Sequence, residues 1–296
     1  MSKNILRRVL NKLAPFRSDV DVKPNLYISK PSWEYQSKTV LPHHRTGDMV
    51  IDVGCGGAPS PIATVLTDFY PDQTIHRARP LMDDRPLIVC RADRMPIRDK
   101  FFDFSMCAHV LEHVSDPLSA TNEISRISKN GYLETPAYGK DVLIGTGDKH
   151  IWQIVSSGDT LHFFPYTARQ HEAHRGSAFM DIWCAYAYHP LQEYFWERQD
   201  VFNASQLWSG SPKVAVHRLD TILPVGDKPS WMPVDLQLLP STPPTLTALE
   251  ISLMERLLVS TDLQTSMVYR ENEFVDPSGL VSYPVRGKRV YFEVGT

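Results

Sequence analysis

Short apolar runs, some of them followed by glycine or an acid, recur through the first half of the chain. They cover residues 48–53, 63–66, 87–90, 102–108 and 132–135. Short runs without polar alternation are typical of strands buried on both faces of a parallel sheet. We therefore expect a doubly wound α/β sheet, in which ligands bind beyond the carboxyl ends of the strands.

One helix is predicted between the fourth and fifth runs, over residues 117–128. Asp116 is a suitable N-cap for it. Pro117 suits its first position, because the amide hydrogen that proline lacks is unbonded in a first turn anyway. Asn130 and Gly131 predict the C-terminal stop of this helix.

The pattern changes after residue 136. Residues 137–164 form a long polar connection, which predicts a lid or substrate insertion reaching to about residue 200. The run at 214–219 predicts a late strand that closes the sheet. Six prolines between residues 224 and 244 predict an extended arm, and a leucine stripe over 245–260 predicts a helix after it.

The N-terminal segment is basic and amphipathic. Residues 3–17 carry five basic side chains and no acid, with apolar residues at helical spacing. Such a helix can pack on its own domain, lie on an anionic membrane or act as a transit segment, and the sequence leaves these alternatives open. The predicted organisation is this segment (1–22), a main domain (23–220) and the arm with its helix (221–296).

Composition limits the class of protein. The 296 residues include 31 basic and 34 acidic side chains, a formal charge of −3, so we expect no nucleic-acid partner. No apolar run approaches the roughly 20 residues of a membrane span. The four cysteines form no C-x-x-C pair, which argues against a zinc ribbon or a disulfide framework and favours a reducing, cytoplasmic location.

The residues that follow the strands carry the candidate chemistry. Asp52 precedes a glycine cluster after the first strand, Asp68 closes the second and Asp93 follows the third. Glycines let the backbone approach a ligand closely, and acids can accept hydrogen bonds from ribose hydroxyls or an adenine amino group. Each signal alone is common, but their order and spacing together are more specific.

These stretches resemble a known family. VIDVGCGGAP (50–59), TDFYPD (67–72), ADRMPIRDKFFDFSMCAHVLEHVSDP (92–117) and GYLETP (131–136) are similar to class I S-adenosylmethionine-dependent methyltransferases, in particular small-molecule enzymes with an HVLEHV signature. The resemblance covers about residues 48–136. It implies a Rossmann-like doubly wound sheet, here with an elaborated C-terminal extension, and S-adenosylmethionine as cofactor.

The resemblance also implies which residues bind the cofactor. They are Asp52, Gly54, Cys55 and Gly56 at the methionine end, Asp68 on the ribose, Asp93 on the adenine amine, and Ala108 and His109 beside the sulfonium. The chain departs from the family between Asp52 and Asp68, which are only 16 residues apart with Pro59 and Pro61 between them. The first helix of the fold is therefore expected to be shortened or replaced by a loop.

Two other motifs match parts of these stretches. Residues 54–59 approximate the dinucleotide fingerprint G-x-G-x-x-G, but Pro59 at its sixth position has no amide hydrogen for a pyrophosphate. Residues 109–113 spell H-x-x-E-H, a zinc-peptidase pattern if they lie on one helix. No metal is assigned, although two imidazoles and a carboxylate leave an accessory divalent cation as an alternative.

Methyl transfer to a hydroxyl or amine needs a base near the reacting methyl group. His109, His113 and His150 are the catalytic candidates, followed by Glu134, Asp148 and His162. The predicted function is methyl transfer to a small molecule or a glycan or lipid precursor. The alternative is a non-catalytic methyltransferase-like scaffold. Peripheral membrane contact through residues 3–17 and a homodimer formed through the C-terminal arm are further expectations.

Overall fold

A computed structural model of the chain describes residues 32–72, 74, 77, 79–144, 150–173, 190–217, 245–261 and 264–292. The helices are α1 (Trp33–Val40), α2 (Pro117–Ile127), α3 (Tyr138–Ile144), α4 (Ala168–Ala173), α5 (Pro190–Glu197), α6 (Gln199–Phe202) and α7 (Ala248–Leu257). The predicted N-terminal segment and the proline-rich arm between residues 224 and 244 lie outside the described residues.

Two sheets are formed by the strands. These strands are β1 (Val50–Val53), β2 (Val65–Asp68), β3 (Leu87–Val89), β4 (Phe102–Ala108), β5 (Ser128–Pro136), β6 (Trp152–Ser157), β7 (Thr160–Pro165), β8 (Asn203–Ser209), β9 (Val214–Val216), β10 (Val268–Arg270), β11 (Glu273–Val275), β12 (Ser282–Arg286) and β13 (Arg289–Tyr291). The large sheet has the order β10-β11-β12-β13-β3-β2-β1-β4-β5-β8.

The centre of the large sheet is parallel. Strands β13, β3, β2, β1, β4 and β5 run in one direction, and β8 is antiparallel to β5. The order reverses at β1, which has β2 on one side and β4 on the other. This confirms the predicted Rossmann-like doubly wound sheet.

Both faces of the sheet are covered, as the continuous apolar runs predicted. Successive residues of β1 belong to different cores: Val50 packs with Val40 of α1, whereas Ile51 belongs to the core that contains Ile124 of α2. Met254 of α7 packs in the same core as Ile124. Side chains of a strand alternate between the two faces, so a strand covered on both faces is mostly apolar.

The helix α2 begins as predicted and ends earlier than expected. The Asp116 side chain accepts a hydrogen bond of 3.0 Å from the amide of Ser119, which is the expected N-cap. The predicted stop at Asn130 and Gly131 is wrong, because both residues lie within β5. Gly131 is required there for packing, since a Cβ would lie 2.4 Å from Oγ of Ser105 on β4.

The connection between β1 and β2 contains no helix over residues 54–64, all of which the structure describes. The sequence predicted a first helix that is shortened or replaced by a loop, and the structure has turns. The proline-containing segment returns directly into β2, whose Val65 is paired with Ile51. The glycine loop therefore joins two neighbouring strands by a short path.

The insertion after β5 is more regular than a polar connection suggests. It contains α3 and the antiparallel pair β6 and β7, which form a separate three-stranded sheet with β9. The predicted late strand at 214–219 is therefore present in part, but it does not close the large sheet. Its Ala215 is paired with His162 of β7 instead.

The C-terminal part returns to the large sheet. The predicted helix is present as α7, with Thr247 and Glu250 forming a reciprocal capping box. Four strands that the sequence did not predict follow it, and β13 lies parallel to β3. Within the described residues, no helix has both the length and the hydropathy needed to span a membrane.

Candidate functional site

A cavity of about 610 Å³ lies beyond the carboxyl ends of β1, β2 and β4, where the strand order reverses. Its wall includes all the residues that the family resemblance implies for the cofactor: Asp52, Gly54, Cys55, Gly56, Asp68, Asp93, Ala108 and His109. The structure brings these eight residues together. Their role in cofactor binding stays a prediction.

The glycines of the loop after β1 lie where a side chain would be strained or would clash. Gly54 and Gly56 have φ values of 71° and 56°, in the left-handed region that favours glycine. A Cβ on Gly54 would lie 2.2 Å from Cγ2 of Val110, and one on Gly57 would lie 2.5 Å from the carbonyl oxygen of Pro80. The loop therefore presents backbone to the cavity.

Asp52 lies at the floor of the cavity, where it is buried. Its Oδ2 accepts a hydrogen bond of 2.6 Å from the amide of Ser60. Burial raises the pKa of Asp52 to about 6, although the Ser60 amide and the Arg85 guanidinium both act to lower it. The carboxylate is thus charged at neutral pH, and a cationic group in the cavity would stabilise that charge.

Asp68, at the end of β2, already has protein partners. Its Oδ2 accepts a hydrogen bond of 3.0 Å from the amide of Gly56, and its Oδ1 accepts one of 2.9 Å from the amide of Tyr70. The Arg77 guanidinium lies 3.0 Å from Oδ1 and is 7% exposed. A ribose would therefore have to share Asp68 with Arg77 or displace that side chain.

Asp93 is oriented by a neighbour in sequence. Its two carboxylate oxygens accept hydrogen bonds of 2.8 and 2.5 Å from the Arg91 guanidinium. These hydrogen bonds hold the pKa of Asp93 below its ordinary value, against the opposing effect of partial burial. Asp93 thus remains a charged acceptor at the rim of the cavity.

His109 follows β4 in a left-handed backbone conformation, with φ of 58°. Its amide donates a hydrogen bond of 2.8 Å to the carbonyl oxygen of Glu134. The imidazole lies between two carboxylates, with Nδ1 3.6 Å from Oε1 of Glu112 and Nε2 3.3 Å from Oε1 of Glu134. Burial and the nearby Lys140 lower the pKa of His109, but the two carboxylates outweigh them and the net shift is upward.

Glu134 is the centre of a buried hydrogen-bond network. The Tyr35 hydroxyl and the Gln36 side-chain amide donate to Oε1, at 2.6 and 2.9 Å. The Tyr132 hydroxyl donates to Oε2 at 2.6 Å. Burial acts to raise the pKa of Glu134, but His109 and the two tyrosine hydroxyls lower it to about 2.

Tyr35 and Gln36 were missed by sequence reasoning. They lie on α1, 99 and 98 residues from the glutamate that they contact. Gln36 is buried on this short helix and lines the cavity. The sequence shows Gln36 only as a polar residue within a short helix. Its burial and its partner, Glu134, are known only from the structure.

The other two predicted catalytic histidines lie close together, but only one of them lines the cavity. His113 is in the cavity wall, and the His150 ring lies against it at a centroid distance of 4.9 Å, edge to face. Nδ1 of His150 is 2.9 Å from both carboxylate oxygens of Asp141. The Tyr166 hydroxyl donates to that carboxylate at 2.9 Å.

His162, one of the two remaining catalytic candidates, lies away from the cavity. His162 is in β7 and pairs with His217 at 2.9 Å, in the small sheet, and neither lines the cavity. Asp148 lies outside the described residues. Residues 109–113 form a turn rather than a helix, so His109 and His113 are not on one helical face as the zinc-peptidase pattern requires.

Comparison with known proteins assigns this region to a class. The family model described as a methyltransferase domain matches residues 51–133. Residues 51–133 are therefore a class I methyltransferase domain. The cofactor that this domain indicates is S-adenosylmethionine.

A curated relative matches about a third of this chain. An uncharacterized protein of Methanocaldococcus jannaschii is 36% identical over 98 residues, which are 32% of this chain and 43% of that protein. The chain thus spans less than half the length of this curated relative.

Two solved structures match about the same share of this chain. The YcgJ protein from Bacillus subtilis is 22% identical with a TM-score of 0.29, over 36% of this chain and 50% of that one. A putative methyltransferase from Bacillus halodurans is 18% identical with a TM-score of 0.27, over 35% and 51%.

Proposed function

We propose that the chain transfers a methyl group from S-adenosylmethionine to a small-molecule acceptor, including a glycan or lipid precursor. One observation carries the proposal: three strand-end acids, the glycine loop and His109 line a single cavity in a methyltransferase domain. The cavity volume, about 610 Å³, is within the range of small-molecule sites.

The residues present fit the cofactor. Gly54 lines the cavity with backbone alone, because a Cβ there would lie 2.2 Å from Cγ2 of Val110. Asp52 offers a buried negative charge suited to an ammonium group, and Asp68 and Asp93 offer carboxylate acceptors for hydroxyl and amino groups. When bound, the cofactor supplies an activated methyl group on a positively charged sulfur.

The chain contributes alignment and proton transfer. With the cofactor bound, the cavity would hold an acceptor oxygen or nitrogen in line with the methyl carbon and its bond to sulfur, and S-adenosylhomocysteine would be the product. We assign the neutral form of His109 to receive the acceptor proton, because its imidazole lines the cavity directly after β4. Glu112 and Glu134 stabilise the resulting imidazolium from either side.

The test is calorimetric titration of the full chain with S-adenosylmethionine, S-adenosylhomocysteine and NAD⁺. We expect both sulfur compounds to bind in competition with each other, and NAD⁺ not to bind. Absence of binding at millimolar S-adenosylmethionine would favour the scaffold alternative, for which the Arg77–Asp68 ion pair in the cavity is the supporting observation. Membrane contact through residues 3–17 and dimerisation remain separate predictions.

A further inference from the structure

Three side chains beside the cavity are arranged as ligands of a cation. Glu112, His113 and His150 each offer one ligand atom, and these atoms lie within 4.8 Å of one another. Nε2 of His113 is 3.7 Å from Oε1 of Glu112. Ligand atoms around a tetrahedral zinc ion lie about 3.4 Å apart, so small side-chain movements would close the site.

Glu112 provides an independent observation. Its side chain is 1% exposed, and its Oε2 has no hydrogen-bond partner among the described residues. A buried carboxylate oxygen without a partner is costly, because it has lost its hydration and gained nothing in exchange. A cation bound between Glu112 and the two imidazoles would satisfy this oxygen.

His150 is oriented as a ligand. Its Nδ1 donates to the Asp141 carboxylate, which leaves the lone pair on Nε2. Asp141 is itself fixed by the Tyr166 hydroxyl. A carboxylate that fixes the tautomer and orientation of an imidazole in this way is the usual support of a histidine ligand.

The donor set indicates the class of ion. Two imidazoles and one carboxylate suit Zn²⁺ and its first-row neighbours, whereas Mg²⁺ and Ca²⁺ prefer oxygen ligands throughout. The H-x-x-E-H pattern of the sequence would use His109 and His113 as the two histidine ligands. In the structure His109 contacts Glu134, and His150 is the second histidine of the cluster. His113 also lines the cavity, so a fourth coordination position would face it.

We propose that Glu112, His113 and His150 bind one divalent transition-metal ion of the Zn²⁺ class, with Asp141 positioning His150. In this arrangement His113 is a metal ligand rather than a base. The ion joins the turn after β4 to His150, which lies two residues before β6 and inside the predicted substrate insertion. Metal binding can be measured without methyl transfer.

The test uses the full chain after removal of metal with a chelator. Zn²⁺ is titrated in competition with a chromophoric chelator, and Co²⁺ is titrated with its visible absorption as a second readout. We expect one ion per chain. His150→Ala should weaken Zn²⁺ binding by at least about 100-fold, and Asp141→Asn by about 10- to 100-fold.

His43→Ala is the matched control, since this histidine is exposed and remote from the cluster in sequence. It should keep the wild-type affinity. Glu112→Gln is isosteric and serves as the second ligand variant if His150→Ala does not fold, as judged by circular dichroism. The proposal is wrong if the wild type binds no stoichiometric Zn²⁺, or if both ligand variants bind it as tightly as the wild type.

Discussion

The two sides of the cavity are built in different ways. The side that we assign to the cofactor, called the cofactor side, consists of Asp52, the glycine loop 54–57, Asp68 and Asp93, each at or just after the end of a strand. The side that we assign to the methyl acceptor, called the acceptor side, is lined by His109, which contacts the buried Glu112 and Glu134. On the cofactor side, most of the contacts that fix an acid come from residues fewer than 13 positions away.

The acceptor side depends on contacts between distant parts of the chain. Glu134 on β5 is held by Tyr35 and Gln36 on α1, about 100 residues earlier. His109 takes a left-handed backbone conformation, which favours glycine. The cofactor side can therefore form once the local strands pair, whereas the acceptor side requires the whole fold. This difference predicts which substitutions affect stability and which affect binding.

The largest effect is expected from Glu134→Ala. The substitution leaves the Tyr35 and Tyr132 hydroxyls and the Gln36 amide without their buried acceptor, so the free energy of unfolding should fall by about 3–5 kcal/mol. Urea denaturation measures the change. Glu197→Ala, at an exposed position on α5, is the control and should change stability by less than about 0.5 kcal/mol.

The same variant has a pH signature. The pKa of Glu134 is lowered from 4.5 to about 2 in the folded protein. Its stabilising contribution is complete above the unfolded value and is lost as pH falls through the folded one. The difference between Glu134→Ala and the wild type should therefore shrink between pH 4.5 and 2. A difference that stays constant over this range would show that the ionised carboxylate is not the source of the stability.

The second-largest effect is expected on the affinity for S-adenosylmethionine. Asp68→Asn keeps one side-chain oxygen, so it can accept from only one of the Gly56 and Tyr70 amides. It also removes the charge, and it should weaken S-adenosylmethionine binding by about 1.5–3 kcal/mol. Calorimetry measures the affinity, and Asp72→Asn, an exposed neighbour, should bind as the wild type does. Equal affinity of Asp68→Asn and wild type would show that the ribose acid is assigned wrongly.

The sequence predicted the cofactor side because its information is local. A strand, a glycine turn and an acid at the strand end all lie within a few residues of one another, as Asp52 and Gly54 do. The same local reasoning failed at Asn130 and Gly131. Those residues have the composition of a helix stop, yet Gly131 is required because β5 lies against Ser105 of β4.

The acceptor side could be predicted only in part. The sequence singled out His109, His113 and His150 as separate candidates, but nothing local indicates that Asp141 orients His150 or that His109 lies between two glutamates. The four C-terminal strands were missed for the same reason. Strands β10 to β13 are short and partly exposed, and their alignment beside β3 is set by tertiary pairing.

The smallest of the three effects tests the charge on the cofactor side. Burial raises the pKa of Asp52 to about 6, so its carboxylate is mostly protonated at pH 5 and mostly ionised at pH 7. An ammonium group on the ligand binds the ionised form. S-Adenosylmethionine should therefore bind about tenfold more weakly at pH 5 than at pH 7. Calorimetry at the two pH values measures the ratio.

Asp52→Asn separates this titration from others nearby. The variant cannot ionise at this position, so its affinity should be low at both pH values and should lack the tenfold change. The Ser60 amide keeps an acceptor, because the Asn side chain retains one oxygen. If the wild-type affinity is the same at pH 5 and pH 7, Asp52 does not bind a cationic group. The methionine end of the ligand would then have to be placed elsewhere along the glycine loop.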